Sequence, residues 1–178
     1  MGLRDRAILG LLIGCGLRRD ELVNLTFEHV QQREDRWVIV DIVGKGRRVR
    51  TVPVPGWAKL LIDRWAAAAG LSSGLVCRRF RKGGWLVYDV GDDGHARPAG
   101  MSADAIADVV SIYARPLGWD ISPHDLRRTF AKLARSGQAP LEQIQLALGH
   151  QNIQTTQRYL GSELDLADAA CDRLGICV

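Results

Sequence analysis

Two neighbouring runs of β-branched residues in an otherwise helix-like chain are the feature that most limits its possible folds. The runs span 37–44 and 47–55, and Lys45 and Gly46 between them suit a tight turn. Elsewhere the apolar residues recur with the spacing of amphipathic helices. The sequence therefore predicts an α+β fold, a mainly helical domain with a small antiparallel β-sheet.

The helical part can be divided at its start and stop signals. Ser122 is a typical N-cap, Pro123 suits the first helical position and Asp125 suits the first turn. The predicted helices cover 3–15, 19–25, 57–70, 102–114, 123–136, 140–148 and 152–160, with a last helix at 163–174. Residues 71–101 are rich in glycine and polar side chains, and we expect a loop there with at most one further strand.

Composition favours one globular domain with a basic surface. The 178 residues carry a net charge of +4, which permits a polyanionic partner without requiring one. The apolar run at 7–17 is too short to span a membrane, so we expect a buried helix, no membrane association and a cytoplasmic location. The four cysteines form no CxxC pair and have no zinc-ligand spacing, so a structural metal is not expected.

Four short segments carry residues that suit the cleavage of a phosphodiester. The segments are GCGLRRDEL (14–22), VGKGRRVRTVPV (43–54), SPHDLRRTFA (122–131) and LGHQNIQTTQRYLG (148–161), and their candidate catalytic residues are Arg18, Lys45, His124, Arg127, His150 and Tyr159. Attack on a phosphodiester builds negative charge on phosphate oxygens, which the planar fork of a guanidinium group stabilises. A tyrosine beside several cations is a better nucleophile, because its phenolate is stabilised.

In this order and spacing the segments resemble the active site of the tyrosine recombinases, the phage-integrase type of DNA strand-exchange enzyme. The resemblance extends from about residue 4 to about residue 161. It includes a GLRxxEL-like segment, a hairpin lysine in GKG, a His-x-x-Arg box and an LGH box followed by a tyrosine nine residues after its histidine. A site-specific DNA recombinase or integrase is the function that this resemblance implies.

The resemblance also implies a role for each candidate. Tyr159 would attack a DNA phosphate, giving a 3′-phosphotyrosyl link and a free 5′-hydroxyl without a metal or another cofactor. Arg18, Arg127 and His150 would hold the phosphate. Lys45 would be the general acid, and His124 would assist proton transfer or phosphate binding. Further basic side chains are expected to contact the DNA backbone: Arg47, Arg48, Arg50, Arg78, Arg79 and Arg128.

Partners and domain organisation follow from the same resemblance. Family members usually carry a separate N-terminal helical domain that closes around double-stranded DNA. Because this chain begins close to Arg18, we expect 1–178 to be the catalytic domain alone. In the full-length context it would form a tetramer on DNA in the bacterial nucleoid, whereas the isolated chain is compatible with a monomer. The tail at 163–178 has one apolar stripe, which would couple protomers or dock on its own domain.

Other interpretations remain at the level of single residues and of function. Singly, each candidate is an ordinary surface charge, helix cap or core-edge residue, and Glu21 is a helix-start acid. A DNA-binding or regulatory module with the same fold, a metal-free DNA-relaxing topoisomerase and a zinc hydrolase are the alternative functions. The intact set of catalytic residues disfavours the first, the His150–Tyr159 spacing the second, and the absence of ligand spacing the third. The HDLRRTFA and TTQRYLG segments favour an integrase of a mobile genetic element over a chromosome-dimer resolving enzyme.

Overall fold

The computed structural model of the chain describes residues 2–44 and 48–160, and for Arg158 and Tyr159 it describes the backbone only. In these ranges the helices are α1 (Leu3–Cys15), α2 (Arg19–Val23), α3 (Gly56–Ala69), α4 (Ala103–Ala114), α5 (Pro123–Ser136), α6 (Leu141–Leu148) and α7 (Ile153–Leu160). The strands are β1 (Val30–Arg33), β2 (Arg36–Val43), β3 (Val49–Pro53), β4 (Tyr88–Val90) and β5 (Ala96–Pro98). The predictions for Lys45, Arg47 and a tail helix at 163–174 fall outside the described residues.

The helices begin and end where the sequence signals indicate. At the start of α5 the backbone N–H and the hydroxyl of Ser122 both donate to the Asp125 carboxylate, at 3.0 and 2.7 Å. Helices α1 and α6 end at Gly16 and Gly149, whose φ angles of 59° and 62° lie in the left-handed region. The predicted helical boundaries are therefore confirmed to within two residues at these ends.

The larger sheet has three antiparallel strands in the order β1–β2–β3. Ile39 in the central strand pairs with Val30 on one side and with Val52 on the other. The register between β2 and β3 shifts after Ile39, where Asp41 adopts a φ of 56°, as in a β-bulge. The sequence predicted β2 and β3 but not β1, whose four residues carry little apolar pattern.

A second, two-stranded sheet pairs β4 with β5. Tyr88 lies opposite Pro98, and Val90 lies opposite Ala96. The expectation of at most one strand in 71–101 was therefore wrong. Five of the six residues in these strands are exposed, so burial leaves no apolar alternation from which they could be predicted.

The core lies around α1, which packs against α3, α4 and α5, with the three-stranded sheet completing it. A smaller apolar cluster joins α5 to α6 through Ala131, Ile144 and Leu148, and Leu160 at the end of α7 packs against it. This second cluster fixes the short helices α6 and α7 beside α5. No helix within residues 2–44 and 48–160 is long and apolar enough to cross a membrane.

Candidate active site

A cavity of about 270 Å³ opens where α2 meets the start of α5. It is lined by Arg18, Arg19, Asp20, Ser122, Pro123, His124 and Arg127. Arg18 and Arg127 reach it from opposite ends of the sequence because α1 and α5 pack against each other. Three of the six predicted catalytic residues therefore share one cavity, as a common phosphate-binding site requires.

Arg127 is held from the interior of the protein. It is 1% exposed, and its two terminal nitrogens donate to the backbone oxygens of Gly16 and Leu148. These carbonyls belong to the ends of α1 and α6, where left-handed glycines turn the chain. A Cβ on Gly16 would lie 2.7 Å from a ring carbon of Phe130, so this close approach requires glycine. The guanidinium plane of Arg127 is thus fixed before any ligand arrives.

Glu21 positions the second arginine, and the sequence interpretation missed this. Its carboxylate accepts the backbone N–H of Arg18 at 2.8 Å and the Arg18 guanidinium at 2.7 Å. The Glu21 side chain is only 3% exposed, whereas that of Arg18 is 31% exposed and reaches the cavity. Glu21 is therefore a buried anchor rather than a solvated helix-start acid. The three-residue spacing from Arg18 was the available signal.

Arg50 completes a buried ion triad with Glu21. Its two terminal nitrogens donate to the two oxygens of the Glu21 carboxylate, both at 2.8 Å, in a bidentate pair. Its Nε donates to the backbone oxygen of Ala147 at the end of α6, at 2.9 Å. One arginine on β3 thus ties the Arg18 segment to the helix that precedes His150. The sequence predicted a DNA contact for Arg50, but the structure gives it these internal partners.

His150 follows α6 and is held by both neighbouring helices. Its backbone N–H donates to the Gln145 carbonyl at 3.1 Å, and the Gln145 side chain donates to the His150 carbonyl at 3.2 Å. Its ring Nδ1 lies 2.9 Å from the hydroxyl oxygen of Thr156 on α7. Thr156 is fully buried, and no sequence signal identified it as part of the site.

The charges around the two histidines favour their neutral forms. Partial burial, together with the positive charges of Arg127, Arg18 and Arg50, lowers the pKa of His150 to about 4. Burial and Arg128 also lower the pKa of His124, against an opposing effect of Asp125. At neutral pH each imidazole can therefore donate one hydrogen bond and accept another. The influence of Arg18 and Arg127 on His150 places it beside the cavity that they line.

The remaining two predicted catalytic residues are less fully described. The backbone of Tyr159 belongs to the last turn of α7, three residues after Thr156, and its side chain is outside the described part of the chain. Lys45 lies outside the described residues, between the ends of β2 and β3. The Gly44 N–H donates to the Arg48 carbonyl at 2.8 Å, so the two strands remain paired up to that segment.

The predicted DNA contacts fall into two groups. Arg48, Arg79 and Arg128 are exposed, with Arg79 paired to Asp89 at 2.6 Å and Arg128 lying 3.8 Å from Asp125. Arg78 is 8% exposed, and its guanidinium donates to the carbonyls of Leu75 and Ser73. The structure therefore gives Arg78, like Arg50, a place inside the protein.

A larger cavity lies away from these residues. It measures about 400 Å³, is lined almost entirely by apolar side chains of α1, α3, α4 and the start of α5, and includes none of the six predicted catalytic residues. Size alone would favour this groove as a binding site. The convergence of arginines and histidines identifies the smaller cavity as the candidate active site.

Residues 1–164 match the sequence profile of the phage integrase family. The chain belongs to this family. Among its relatives, tyrosine recombinase XerC of Pseudomonas putida is 32% identical over 156 residues, covering 88% of this chain and 47% of the relative. XerD of Pseudomonas aeruginosa is 33% identical over 165 residues, covering 89% and 50%. XerA of Thermococcus kodakarensis is 35% identical over 156 residues, covering 88% and 50%. The chain spans about half the length of these relatives.

Solved recombinase structures share the fold of this family member. The crystal structure of XerA recombinase superposes with a TM-score of 0.68 at 22% identity, covering 93% of this chain and 54% of that one. XerH bound to its difH substrate superposes with a TM-score of 0.67 at 20% identity, covering 93% and 44%. The predicted fold, a mainly helical tyrosine recombinase catalytic core with small antiparallel sheets, is confirmed.

Proposed function

We propose that this chain is the catalytic domain of a site-specific DNA recombinase, which cleaves and rejoins DNA through a 3′-phosphotyrosyl intermediate on Tyr159. The observation that carries the proposal is the convergence of Arg18, His124 and Arg127 on one cavity, with His150 beside it. Family membership agrees with it. DNA as the substrate is supported by solved relatives that hold DNA, XerH with difH and the Tn1549 integrase with circular intermediate DNA.

Phosphate binding is the step that the geometry supports best. Arg127 is fixed by backbone carbonyls and Arg18 by a buried carboxylate, so neither guanidinium has to be ordered when DNA arrives. Such preorganised donors stabilise charge that develops in the transition state at little reorganisation cost. Neutral His150 adds a hydrogen-bond donor without adding a net charge.

The proposed reaction exchanges one phosphoester for another. The Tyr159 oxygen forms a bond to phosphorus while the bond from phosphorus to the 5′-oxygen breaks. The tyrosine loses its proton, for which neutral His124 is a candidate acceptor, and Lys45 supplies a proton to the leaving 5′-oxygen. Because the tyrosyl ester conserves the bond energy, attack by a 5′-hydroxyl reverses the step without ATP.

DNA backbone contacts and assembly extend the proposal beyond the cavity. Arg48 and Arg128 are exposed close to the segments that build the site, and they are suited to phosphates on either side of the cleaved one. Self-association into a tetramer on DNA, with a coupling role for the tail at 163–178, is the arrangement that we expect of the full-length protein. Both expectations rest on the family resemblance.

Covalent capture on DNA of randomised sequence tests the proposal and selects the target site in one experiment. The chain is incubated, with EDTA present, with a library of nicked duplexes whose sequence is randomised and which lose a short fragment after cleavage. Protein–DNA complexes that survive a denaturing gel are isolated and their DNA is sequenced. We expect an EDTA-resistant complex that contains one preferred sequence.

Two variants serve as controls for this capture. Tyr159→Phe removes only the nucleophilic oxygen and should abolish the complex, while Tyr88→Phe removes an exposed hydroxyl of β4 and should leave it unchanged. A wild-type chain that binds DNA on a native gel but never forms the covalent complex would contradict the proposed chemistry. That outcome would favour a non-catalytic DNA-binding module.

A further inference from the structure

The contact between His150 and Thr156 joins two parts of the site that the family resemblance treats separately. Thr156 lies on α7, one helical turn before Tyr159, and its side chain is fully buried. Its hydroxyl oxygen lies 2.9 Å from Nδ1 of His150, within ordinary hydrogen-bond distance. Since Gln145 fixes the backbone of His150 to α6, Thr156 fixes the ring itself.

A neutral imidazole has one N–H donor and one acceptor nitrogen, and a hydrogen bond to one nitrogen decides which is which. If the Thr156 hydroxyl donates to Nδ1, the ring proton must be on Nε2. Nε2 then offers an N–H to a phosphate oxygen. If Nδ1–H donated to Thr156 instead, Nε2 would present a lone pair, which repels an anion.

We propose that Thr156 is a positioning residue whose hydroxyl donates to His150 Nδ1 and holds the imidazole as the Nε2–H tautomer. The proposal deepens the proposed function, since it presumes that His150 binds the scissile phosphate. The same hydrogen bond holds α7, the helix of Tyr159, against the turn that carries His150. Phosphate recognition and placement of the nucleophile's helix thereby share one contact.

The chain itself contains a reference for this tautomer. The backbone N–H of Thr26 donates to Nδ1 of His29 at 3.1 Å, so Nδ1 of His29 is an acceptor by necessity. The sequence has four histidines, few enough for each ring to be resolved in a nitrogen-15 spectrum. His29 therefore shows the signal that an accepting Nδ1 gives in this protein.

The test is the ring nitrogen-15 spectrum of the labelled chain near pH 7, with the His150 signals assigned by their loss in His150→Gln. We expect wild-type His150 to show an unprotonated Nδ1 and a protonated Nε2, as His29 does. Thr156→Val, which replaces the hydroxyl with a methyl group, should shift His150 toward a mixture of tautomers. Thr156→Ser, which keeps the hydroxyl, should restore the wild-type pattern. Thr155→Val is the matched control, because Thr155 is the exposed neighbour on the same helix.

Cleavage gives the functional half of the test. At saturating DNA the rate of covalent complex formation should fall about tenfold in Thr156→Val, the equivalent of one lost hydrogen bond. Thr156→Ser should recover most of that rate, and noncovalent DNA binding should change little in either variant. Thr156→Ala serves as a second hydroxyl-free variant in case valine disturbs the packing.

Two results would overturn the proposal. One is a protonated Nδ1 in wild-type His150, and the other is an unchanged His150 spectrum in both hydroxyl-free variants. If the wild-type chain fails to form any covalent complex, the proposed function fails instead, and the spectrum still decides the hydrogen bond.

Discussion

Neutralising Glu21 is the perturbation whose size the structure predicts most directly. In Glu21→Gln the side chain keeps its shape but loses the charge that Arg18 and Arg50 share. Burial alone would raise the pKa of Glu21, but hydrogen bonds from Arg50 and Arg18 outweigh it and lower the pKa from 4.5 to about 2. A difference of about 2.5 in pKa corresponds to about 3 kcal/mol of stability for the charged form.

This contribution depends on pH with a definite sign. Because the folded-state pKa is lowered, the stabilisation is complete above about pH 5 and is lost as the pH falls toward 2. Glutamine does not titrate, so the variant lacks the contribution at every pH. We expect Glu21→Gln to lower the free energy of unfolding by about 3 kcal/mol at neutral pH and by only about 1 kcal/mol near pH 3.

Urea denaturation of both proteins between pH 7 and pH 3 measures this difference. The matched control is Asp63→Asn, which removes an exposed i,i+4 partner of Lys59 and should cost less than about 1 kcal/mol. The slope of the urea dependence should be the same for all three proteins if they unfold to the same state. A difference between wild type and Glu21→Gln that stays constant with pH, or that is below about 1 kcal/mol at pH 7, would refute the reasoning.

Three further predictions follow from the same contacts. Gly149→Ala should lower the free energy of unfolding by about 2 kcal/mol or more in urea denaturation, since its φ is 62° and an added Cβ would lie 2.9 Å from Arg50 Cδ; an unchanged stability would contradict that close contact. Arg127→Lys should slow covalent complex formation at saturating DNA by about a hundredfold, because a lysine cannot bond two carbonyls and a phosphate in one plane; near-wild-type rates would remove Arg127 from the site. Arg128→Gln should reduce the slope of log binding constant against log salt concentration by about one, whereas Arg36→Gln on the exposed end of β2 should not; equal slopes in both would place the DNA elsewhere.

Much of the fold could be predicted because its signals are local. The Ser-Pro-His-Asp start of α5 and the glycines after α1 and α6 are determined by backbone chemistry within a few residues. Strand β1 and the β4–β5 pair were missed because their residues are mostly exposed and carry no alternation. They are formed by pairing with other strands, which a local pattern does not record.

The candidate site divides in the same way. The catalytic residues were predicted from their spacing, and the structure brings Arg18, His124 and Arg127 together. Their supports, Glu21, Arg50 and Thr156, act through contacts between distant segments, so each had an ordinary local explanation in the sequence. The preference for a mobile-element integrase stays a prediction.

The central claim is that Tyr159 becomes covalently joined to DNA, and mass spectrometry of the captured complex tests it most directly. Cleavage after Arg158 and Arg173 by trypsin releases Tyr159 in the peptide 159–173, and this peptide contains one of the three tyrosines of the chain. After nuclease digestion we expect this peptide to carry a nucleotide joined through its 3′-phosphate to Tyr159. A nucleotide found on Tyr88, Tyr113 or a residue other than tyrosine would contradict the account.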